Sequence, residues 1–368
     1  MTLFSQKWIS PTWVVILISL IYVVGVLLVN NGDPKAFILL GTHFSESAPQ
    51  GSEGYDGQFA YQIALNPAGA APYIDVPAYR YQRILYPLTA RLLALGQAAL
   101  IPWTLIIVNI GAIALGTWAT EHLLLHFRVS RWYALVYGLY GGQLLSLRTD
   151  LNEPLAHAFI QLAMLAWAKE HRWWAVAAFA LAALGKETTL VFLAAYMAFT
   201  LSRRMWGWTF RLSLAAVPFV FYQLFLWRWL GSFGVGSGGA GATPFSPIPL
   251  AGWLAIAGVS VGAFLLISLV VVPMSILPSI AGLWLSITNL WYQNLHPFVF
   301  CLLLNSVVIL FLPTSTFREP VAMLRLTMGL MAEMLVFGAW RRSWRVLNYS
   351  TFWIFTNVLL INGVAGAG

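Results

Sequence analysis

The chain has 368 residues, of which 60% are hydrophobic and only 9% are charged. Soluble globular domains carry about 25% charged residues, and the mean hydropathy here is +0.77. This composition excludes a water-soluble domain, a disordered or collagen-like chain and, with Cys301 as its one cysteine, a disulfide scaffold. The net charge of +8 comes from basic residues in short segments between apolar runs. That distribution is the positive-inside pattern of a polytopic membrane protein and does not indicate a nucleic-acid partner.

The N-terminal part predicts one membrane helix followed by a long polar loop. Residues 11–30 are apolar, follow Lys7 and have no small-residue cleavage site behind them, so we expect an uncleaved anchor with a cytoplasmic N-terminus. Residues 31–83 contain five of the twelve acidic residues and should lie outside the cytoplasm. Residues 84–100 are apolar but short and interrupted by polar side chains, which favours an amphipathic interfacial helix.

Further apolar runs predict membrane helices at residues 101–124, 132–147, 154–168, 212–229, 321–340 and 349–361. Residues 173–201 would form a single helix of about 40 Å. We expect instead two short arms that meet at Gly185-Lys186-Glu187, with this charged tip in the outer half of the membrane. Residues 231–249 are rich in glycine and predict a mobile outer loop.

Residues 229–317 contain no Asp, Glu, Lys or Arg and should hold about three membrane segments, broken near Pro273, Pro278 and Pro297. If every segment crosses the membrane, successive loops alternate between its two sides. Residues 317–320 then lie inside and the basic cluster at residues 341–345 lies outside, unless one segment is re-entrant. The total predicts an all-α polytopic membrane protein with about ten to twelve transmembrane helices.

The strongest local pattern is Gly54-Tyr55-Asp56-Gly57-Gln58-Phe59-Ala60-Tyr61. Two glycines flank Asp56 and would let a ligand approach the backbone closely, and the aromatic rings beside it could stack on a sugar. A half-buried carboxylate would have a raised pKa and could act as a general base. The alternative is that Asp56 caps a short interfacial helix.

Basic residues in the same loop suggest a phosphate site. Arg80 and Arg83 suit a phosphate because guanidinium groups bind it bidentately, although arginines at this depth also contact lipid head groups. Glu153 and the Lys186-Glu187 pair lie at or within the ends of spans, where ionisable groups need a partner or a function. The pair could also simply close a helical hairpin. No cofactor is predicted, and a divalent ion shared by Asp56 and Asp75 is possible but not favoured.

An outer loop with Tyr55-Asp56-Gly57-Gln58-Phe59 after the first span resembles the Trp-Asp-Gly/Ala-x-Trp/Tyr element of GT-C-fold glycosyltransferases. The nearest cases are phosphatidylinositol-glycan mannosyltransferases and bacterial enzymes that use polyprenyl-phosphate sugars. The resemblance also covers the interfacial helix, the acidic second outer loop with Asp150 and Glu153, and the Lys186-Glu187 pair. Tyr55 stands where the family usually has Trp, and no large soluble C-terminal domain follows.

The resemblance implies a GT-C-like catalytic module in residues 1–230, with its outer loop at 31–100, and variable C-terminal helices in residues 231–368. It makes Asp56 the catalytic base of an inverting single displacement. The sugar would pass from a polyprenyl phosphate to an extracytoplasmic glycan, lipid or protein acceptor at the bacterial plasma membrane, in cell-envelope synthesis. The expected substrate-binding residues are Tyr55, Gln58, Asp75, Arg80, Arg83, Asp150, Glu153, Lys186, Glu187 and Arg318.

Two other classes of function remain open. A transporter or flippase would line a path with charged residues, but it would need charges at the middle of the membrane, and the charges noted above gather at the outer side. A non-catalytic assembly partner would have no need for the cluster of aromatic and acidic residues at 54–64. No Walker loop or dinucleotide fingerprint indicates a nucleotide-sugar donor.

Overall fold

The computed structural model describes residues 9–363, and over that range the chain is helical, without a strand. Lys7, on which the expected cytoplasmic N-terminus depends, lies outside the described residues. Within the described range, five helices are long and apolar enough to cross a membrane, and three shorter apolar helices accompany them. The all-helical membrane class is therefore supported, but the described part has fewer full-length spans than the ten to twelve predicted.

The first part of the chain alternates long helices with short ones. Its α-helices are α1 (Pro11–Val29), α2 (Thr42–Ser45), α3 (Gly57–Leu65), α4 (Pro77–Tyr81), α5 (Leu85–Leu93), α6 (Ile101–His126), α7 (Ala134–Gly138), α8 (Gly141–Arg148), α9 (Glu153–Ala168), α10 (Arg172–Gly185), α11 (Leu190–Ser202), α12 (Trp206–Ser213) and α13 (Val217–Leu230). α2 to α5 lie in the expected outer loop, and α5 is the short helix predicted between residues 84 and 100.

The second part begins after the glycine-rich loop. Its α-helices are α14 (Ala251–Val259), α15 (Val261–Val271), α16 (Leu277–Trp291), α17 (Pro297–Leu310), α18 (Thr314–Phe317), α19 (Pro320–Arg341), α20 (Trp344–Ser350) and α21 (Val358–Gly363). The predicted breaks at Pro273 and Pro278 are wrong. A π-helical turn at Val272–Ile276 joins α15 to α16 and accommodates Pro273 without ending the helix.

The helical hairpin predicted around Lys186 is confirmed. Lys186 has an extended backbone (φ −160°, ψ 126°), which ends α10 and lets the chain turn back into α11. The rings of Phe179 and Tyr196 lie 4.9 Å apart across the two arms, and the ring of Trp173, near the start of α10, lies 6.1 Å from that of Trp208 on α12, the helix that follows α11. The two arms therefore run side by side, and both basic clusters that flank them lie at the same end.

The helices define two ends of the bundle, called here the Asp56 end and the far end. Arg325, near the start of α19, contacts Asp56. Arg342, just after α19, donates to the Phe127 carbonyl that follows α6. Residues 318–320 therefore lie at the Asp56 end, which agrees with a re-entrant segment and not with strict alternation. The reason is that α14 and α15 form a hairpin, joined by a hydrogen bond from Trp253 to Ser268, which adds no crossing.

The helix α19 lies at the centre of the bundle. Of its apolar window, 78% is buried, compared with 17% for α1. The ionisable side chains within this helix, Arg325 and Glu333, therefore face protein and not lipid, which is where intramembrane charges are tolerated.

Candidate functional site

Asp56 lies directly before α3, but its side chain makes no capping hydrogen bond, so the capping interpretation is wrong. The flanking glycines serve the chain's own packing. Gly54 has a φ of +68° and lies against the backbone of Gly41, and a Cβ at Gly57 would clash with the Thr149 carbonyl. These glycines thus let neighbouring loops approach the backbone closely. This packing holds the Asp56 turn against the loop that precedes α9.

Two arginines from distant parts of the chain bind Asp56. Arg325 donates from Nη1 to Oδ2 at 2.6 Å, and Nη2 of Arg80 lies 3.0 Å from Oδ1. Arg80 also binds Asp75 with two hydrogen bonds, of 2.8 and 2.7 Å. The Arg80 guanidinium therefore bridges Asp56 and Asp75, the two carboxylates that could have shared a divalent ion. Groups of three or more metal-ligating side chains are absent from the described residues.

The ion pairs continue into the helical hairpin. Glu153 accepts from Arg325 at 2.7 Å and from Lys186 at 2.5 Å through the same oxygen. Arg83 binds Glu187 with hydrogen bonds of 2.9 and 2.6 Å. Lys186 and Glu187 thus pair with other elements and not with each other, so the alternative of an ion pair that simply closes the hairpin is wrong. We call these residues the ion-pair cluster: Asp56, Asp75, Arg80, Arg83, Glu153, Lys186, Glu187 and Arg325.

The charge environment of Asp56 contradicts the raised pKa that its sequence suggested. Burial alone would raise this pKa, but the guanidinium groups of Arg325 and Arg80 outweigh burial and hold it well below the usual range. The same competition lowers the pKa of Asp75, where hydrogen bonds from Arg80 outweigh burial. Both carboxylates are therefore ionised at neutral pH and are weak bases while the arginines hold them.

Asp150 is the acidic residue of the site that lacks a cationic partner. It lies in the loop between α8 and α9 with a left-handed backbone (φ 47°), and it is fully buried. Neither of its carboxyl oxygens has a hydrogen-bond partner in the described structure, although the Tyr86 hydroxyl lies near. Burial raises the pKa of Asp150 well above its usual value.

A cavity of about 30 Å³ lies between these groups and is lined by Asp56, Arg80, Arg83, Asp150, Asn152 and Arg325, together with apolar side chains. This volume has room for about one or two water molecules and none for a sugar. A larger cavity of about 310 Å³ lies at the far end, among Trp167, Arg172, Arg203 and His296, and is lined by no predicted site residue.

Besides Asp150, three predicted substrate-binding residues lie apart from the ion pairs. Gln58 is buried, accepts from the Gly41 amide and donates to the Glu53 carbonyl, so it supports the loop. Tyr55 places its ring 6.0 Å from the Arg325 guanidinium, and burial raises its pKa to about 12. Arg318 is exposed and forms no ion pair within the described residues, although it lies at the Asp56 end.

The glycine-rich loop, which the sequence predicts to be a mobile outer segment, is hydrogen-bonded to the site. The Ala240 amide donates to Asp75 at 3.1 Å, and the Gly234 and Val235 amides donate to Gln223. A Cβ at Gly234 would clash with Ala78 and Gln82. Glycine therefore lets this loop lie directly against α4, beside the ion-pair cluster.

Sequence reasoning missed Arg325 and Glu333. Both lie in the span 321–340, which was treated only as an apolar run. The available signal was general, since ionisable residues inside a span usually face the protein interior and have a function. The comparisons with known proteins add no assignment: no family model, curated protein or solved structure matches this chain.

Proposed function

We propose that this protein is a membrane glycosyltransferase of the GT-C type, which moves a sugar from a polyprenyl phosphate to an extracytoplasmic acceptor at the bacterial plasma membrane. The observation that supports the proposal is the pairing of Asp56 with both Arg80 and Arg325 at one end of an apolar bundle. Such a site offers a carboxylate for proton abstraction beside guanidinium groups for a phosphate, where a lipid-borne substrate can reach it.

The low pKa of Asp56 makes the arginines part of the proposed mechanism. While Arg80 and Arg325 hold the carboxylate, it is a poor base. A donor phosphate would compete for the same guanidinium groups, because charge-assisted bidentate pairs form with phosphate as readily as with carboxylate. Transfer of the arginines to the phosphate would raise the basicity of Asp56 only when the donor is bound.

The proposed chemistry is a single displacement at the anomeric carbon. The acceptor hydroxyl oxygen forms the new bond to carbon, Asp56 takes the hydroxyl proton, and the bond to the phosphate oxygen breaks. The electron pair leaves with the lipid phosphate, whose growing charge Arg80 and Arg325 stabilise. Attack opposite the leaving group inverts the configuration. The small cavity requires that the loops around it open before a sugar enters.

The test uses the full-length protein in lipid nanodiscs. Polyprenyl-phosphate mannose, glucose and arabinose serve as donors, and undecaprenyl phosphate serves as the probe of the phosphate site. Asp56→Asn should lower transfer at least about 10²-fold, the usual contribution of a general base. Binding of undecaprenyl phosphate should be retained or tightened, since the variant frees Arg80 and Arg325 from a competing carboxylate.

Glu46→Gln is the matched control, because Glu46 is an exposed acid of the same loop. It should leave both transfer and binding unchanged.

Normal transfer by Asp56→Asn would contradict the role of Asp56. The absence of transfer by the unaltered protein with every donor, despite binding of undecaprenyl phosphate, would favour a flippase instead. One observation supports that second candidate, since Glu333 supplies a titratable group near the middle of α19.

A further inference from the structure

Glu333 is a buried carboxyl group near the centre of the bundle, and it has no hydrogen-bond partner in the part of the chain that the structure describes. It is the fourteenth residue of the 22-residue helix α19 and is fully buried. Neither of its carboxyl oxygens has a hydrogen-bond partner within the described residues. An isolated carboxylate in such a place is strongly disfavoured, so the group is retained either in its neutral form or for a function.

The residues around Glu333 can be identified from the way the helices pack one turn closer to the Asp56 end. His157 of α9 contacts the ring of Phe192 on α11, with 6.0 Å between the ring centres. A Cβ at Gly329 would meet Asn305 and Phe192. We call these residues (His157, Phe192, Asn305 and Gly329) the His157 layer.

The next turn brings Glu333 together with other polar side chains. From the His157 layer, α9, α11 and α19 run towards the far end, whereas α17 runs in the opposite direction. One helical turn further towards the far end, these helices therefore place four residues at the same level: Gln161, Tyr196, Glu333 and Cys301. Electrostatic interactions of Glu333 with both Tyr196 and Cys301 agree with this register. The Tyr196 hydroxyl and the Gln161 amide nitrogen also lack hydrogen-bond partners among the described residues. We call these four residues the Glu333 layer.

A polar row on α9 connects the Glu333 layer to the ion-pair cluster. Glu153, His157 and Gln161 are spaced four residues apart, lie on one face of the helix and are all buried. Glu153 has one oxygen bonded to Lys186 and Arg325 and its other oxygen without a partner, and Nδ1 of His157 also has none. Towards the far end, the next turn contains Met164, Phe298 and Val336, which are buried in an apolar cluster. The row is therefore polar on the Asp56 side and closed on the other.

We propose that Glu333 is a proton-binding site inside the bundle, reached from the Asp56 end through the polar row Glu153, His157 and Gln161. The carboxylate takes up one proton and becomes a neutral acid, and it loses that proton by the same route. No oxidant, reductant or metal is required. The site goes beyond the proposed transferase reaction, which does not use Glu333.

The surroundings of Glu333 favour this neutral form. The ionisable groups of its own layer are Tyr196 and Cys301, and neither is a cation at neutral pH. On its own helix, the nearest basic residue towards the Asp56 end is Arg325, two turns away and bound to Asp56 and Glu153. The packed helices α15 and α16 carry no ionisable residue. On α6, Thr120 bonds to Gln161, and Glu121 instead pairs with Arg131.

Infrared spectroscopy of the purified full-length protein in nanodiscs tests the proposal, because the carbonyl band of a protonated acid is separate from carboxylate bands. At neutral pH we expect such a band, with a component that is lost in Glu333→Gln. Glu121→Gln is the matched control, since Glu121 is a buried but ion-paired glutamate on a long span. A protonated-acid band that is identical in Glu333→Gln and the unaltered protein would overturn the proposal.

The route is tested by deuterium exchange of the same band. His157→Leu should slow the exchange about tenfold, equivalent to about 1.4 kcal/mol in the barrier. Met164→Leu, an apolar change on the closed side, should leave the rate unchanged. Exchange that is unaffected by His157→Leu would contradict entry through the polar row.

A measurement on the unaltered protein avoids any failure of a variant to fold. Dicyclohexylcarbodiimide adds the carboxyl O–H of a protonated acid across a C=N bond and, after acyl migration, gives a stable N-acylurea. Peptide mass spectrometry should find this adduct at Glu333 and not at the ion-paired Glu153. An adduct at other membrane-buried carboxyl groups with Glu333 unmodified would also overturn the proposal.

Discussion

Arg325 and Asp56 are 269 positions apart in the sequence, yet the Arg325 guanidinium lies 2.6 Å from the Asp56 carboxylate. The same guanidinium binds Glu153. One side chain of the central helix thereby holds the first long loop and the start of α9 in a fixed relation. The ion-pair cluster is consequently assembled from both parts of the chain, because Arg325 lies beyond the catalytic module predicted in residues 1–230.

Arg325→Gln should destabilise the protein strongly, because it leaves Asp56 and the fully buried Glu153 short of a cation. Removal of one partner from a buried pair costs about 3–5 kcal/mol. The measurement is thermal unfolding in detergent, followed by tryptophan fluorescence. Arg318→Gln is the control and should melt with the unaltered protein, since Arg318 is exposed. Equal melting of both variants would show that the Arg325 pairs contribute little.

Arg83 and Glu187 should show strong energetic coupling. Arg83→Gln and Glu187→Gln each leave one charge of a largely desolvated bidentate pair without its partner. The double variant should therefore lose less stability than the sum of the two single variants, by about 0.5–3 kcal/mol. The corresponding cycle for Arg172 and Glu170 should give little coupling, because Glu170 is 71% exposed. Additive losses at Arg83 and Glu187 would contradict the prediction.

Labelling of cysteines in intact cells should reveal the two ends of the bundle. In a Cys301→Ser background, Ser52→Cys and Arg318→Cys should react with a membrane-impermeant thiol reagent. Arg203→Cys and Arg342→Cys should react only after the membrane is permeabilised, since they lie at the far end. If only one of Ser52→Cys and Arg318→Cys reacted in intact cells, the result would contradict their placement at the same end of the bundle. Labelling of both far-end positions alone would place Asp56 in the cytoplasm.

Asp150→Asn should stabilise the protein increasingly as pH rises. Burial raises the pKa of Asp150 in the folded protein, whereas in the unfolded chain it is near its ordinary value. The folded state is thus favoured below the unfolded pKa, and this advantage is lost as pH rises through the folded pKa. The melting-temperature difference between variant and unaltered protein should therefore grow as pH rises above the ordinary aspartate pKa of about 3.9 and level off above the raised pKa of the folded protein.

Asp33→Asn is the matched control for this series, because Asp33 is exposed in the outer loop. Its melting temperature should follow that of the unaltered protein across the same pH range. An Asp150→Asn variant that melts lower at every pH would indicate that the carboxylate binds a group that stabilises it.

The sequence by itself determined the class of this protein and the positions of most apolar helices. Hydropathy and charge are local quantities, and a span of about 20 residues carries enough apolar side chains to reveal itself. The hairpin at Lys186 could also be predicted, because basic residues on both sides favour a turn there. The charged residues of the outer loop and of the helical hairpin were identified in the same way.

Only the tertiary structure decided which charges meet. Arg325 pairs with Asp56 and Glu153 because α19 occupies the centre of the bundle, and no local pattern encodes that position. The same packing turned Asp56 from an expected base with a raised pKa into a strongly ion-paired carboxylate. It also left Asp150 and Glu333 buried without ion partners among residues 9–363. A pKa depends on contacts between elements distant in sequence, and those contacts exist only once the helices have packed.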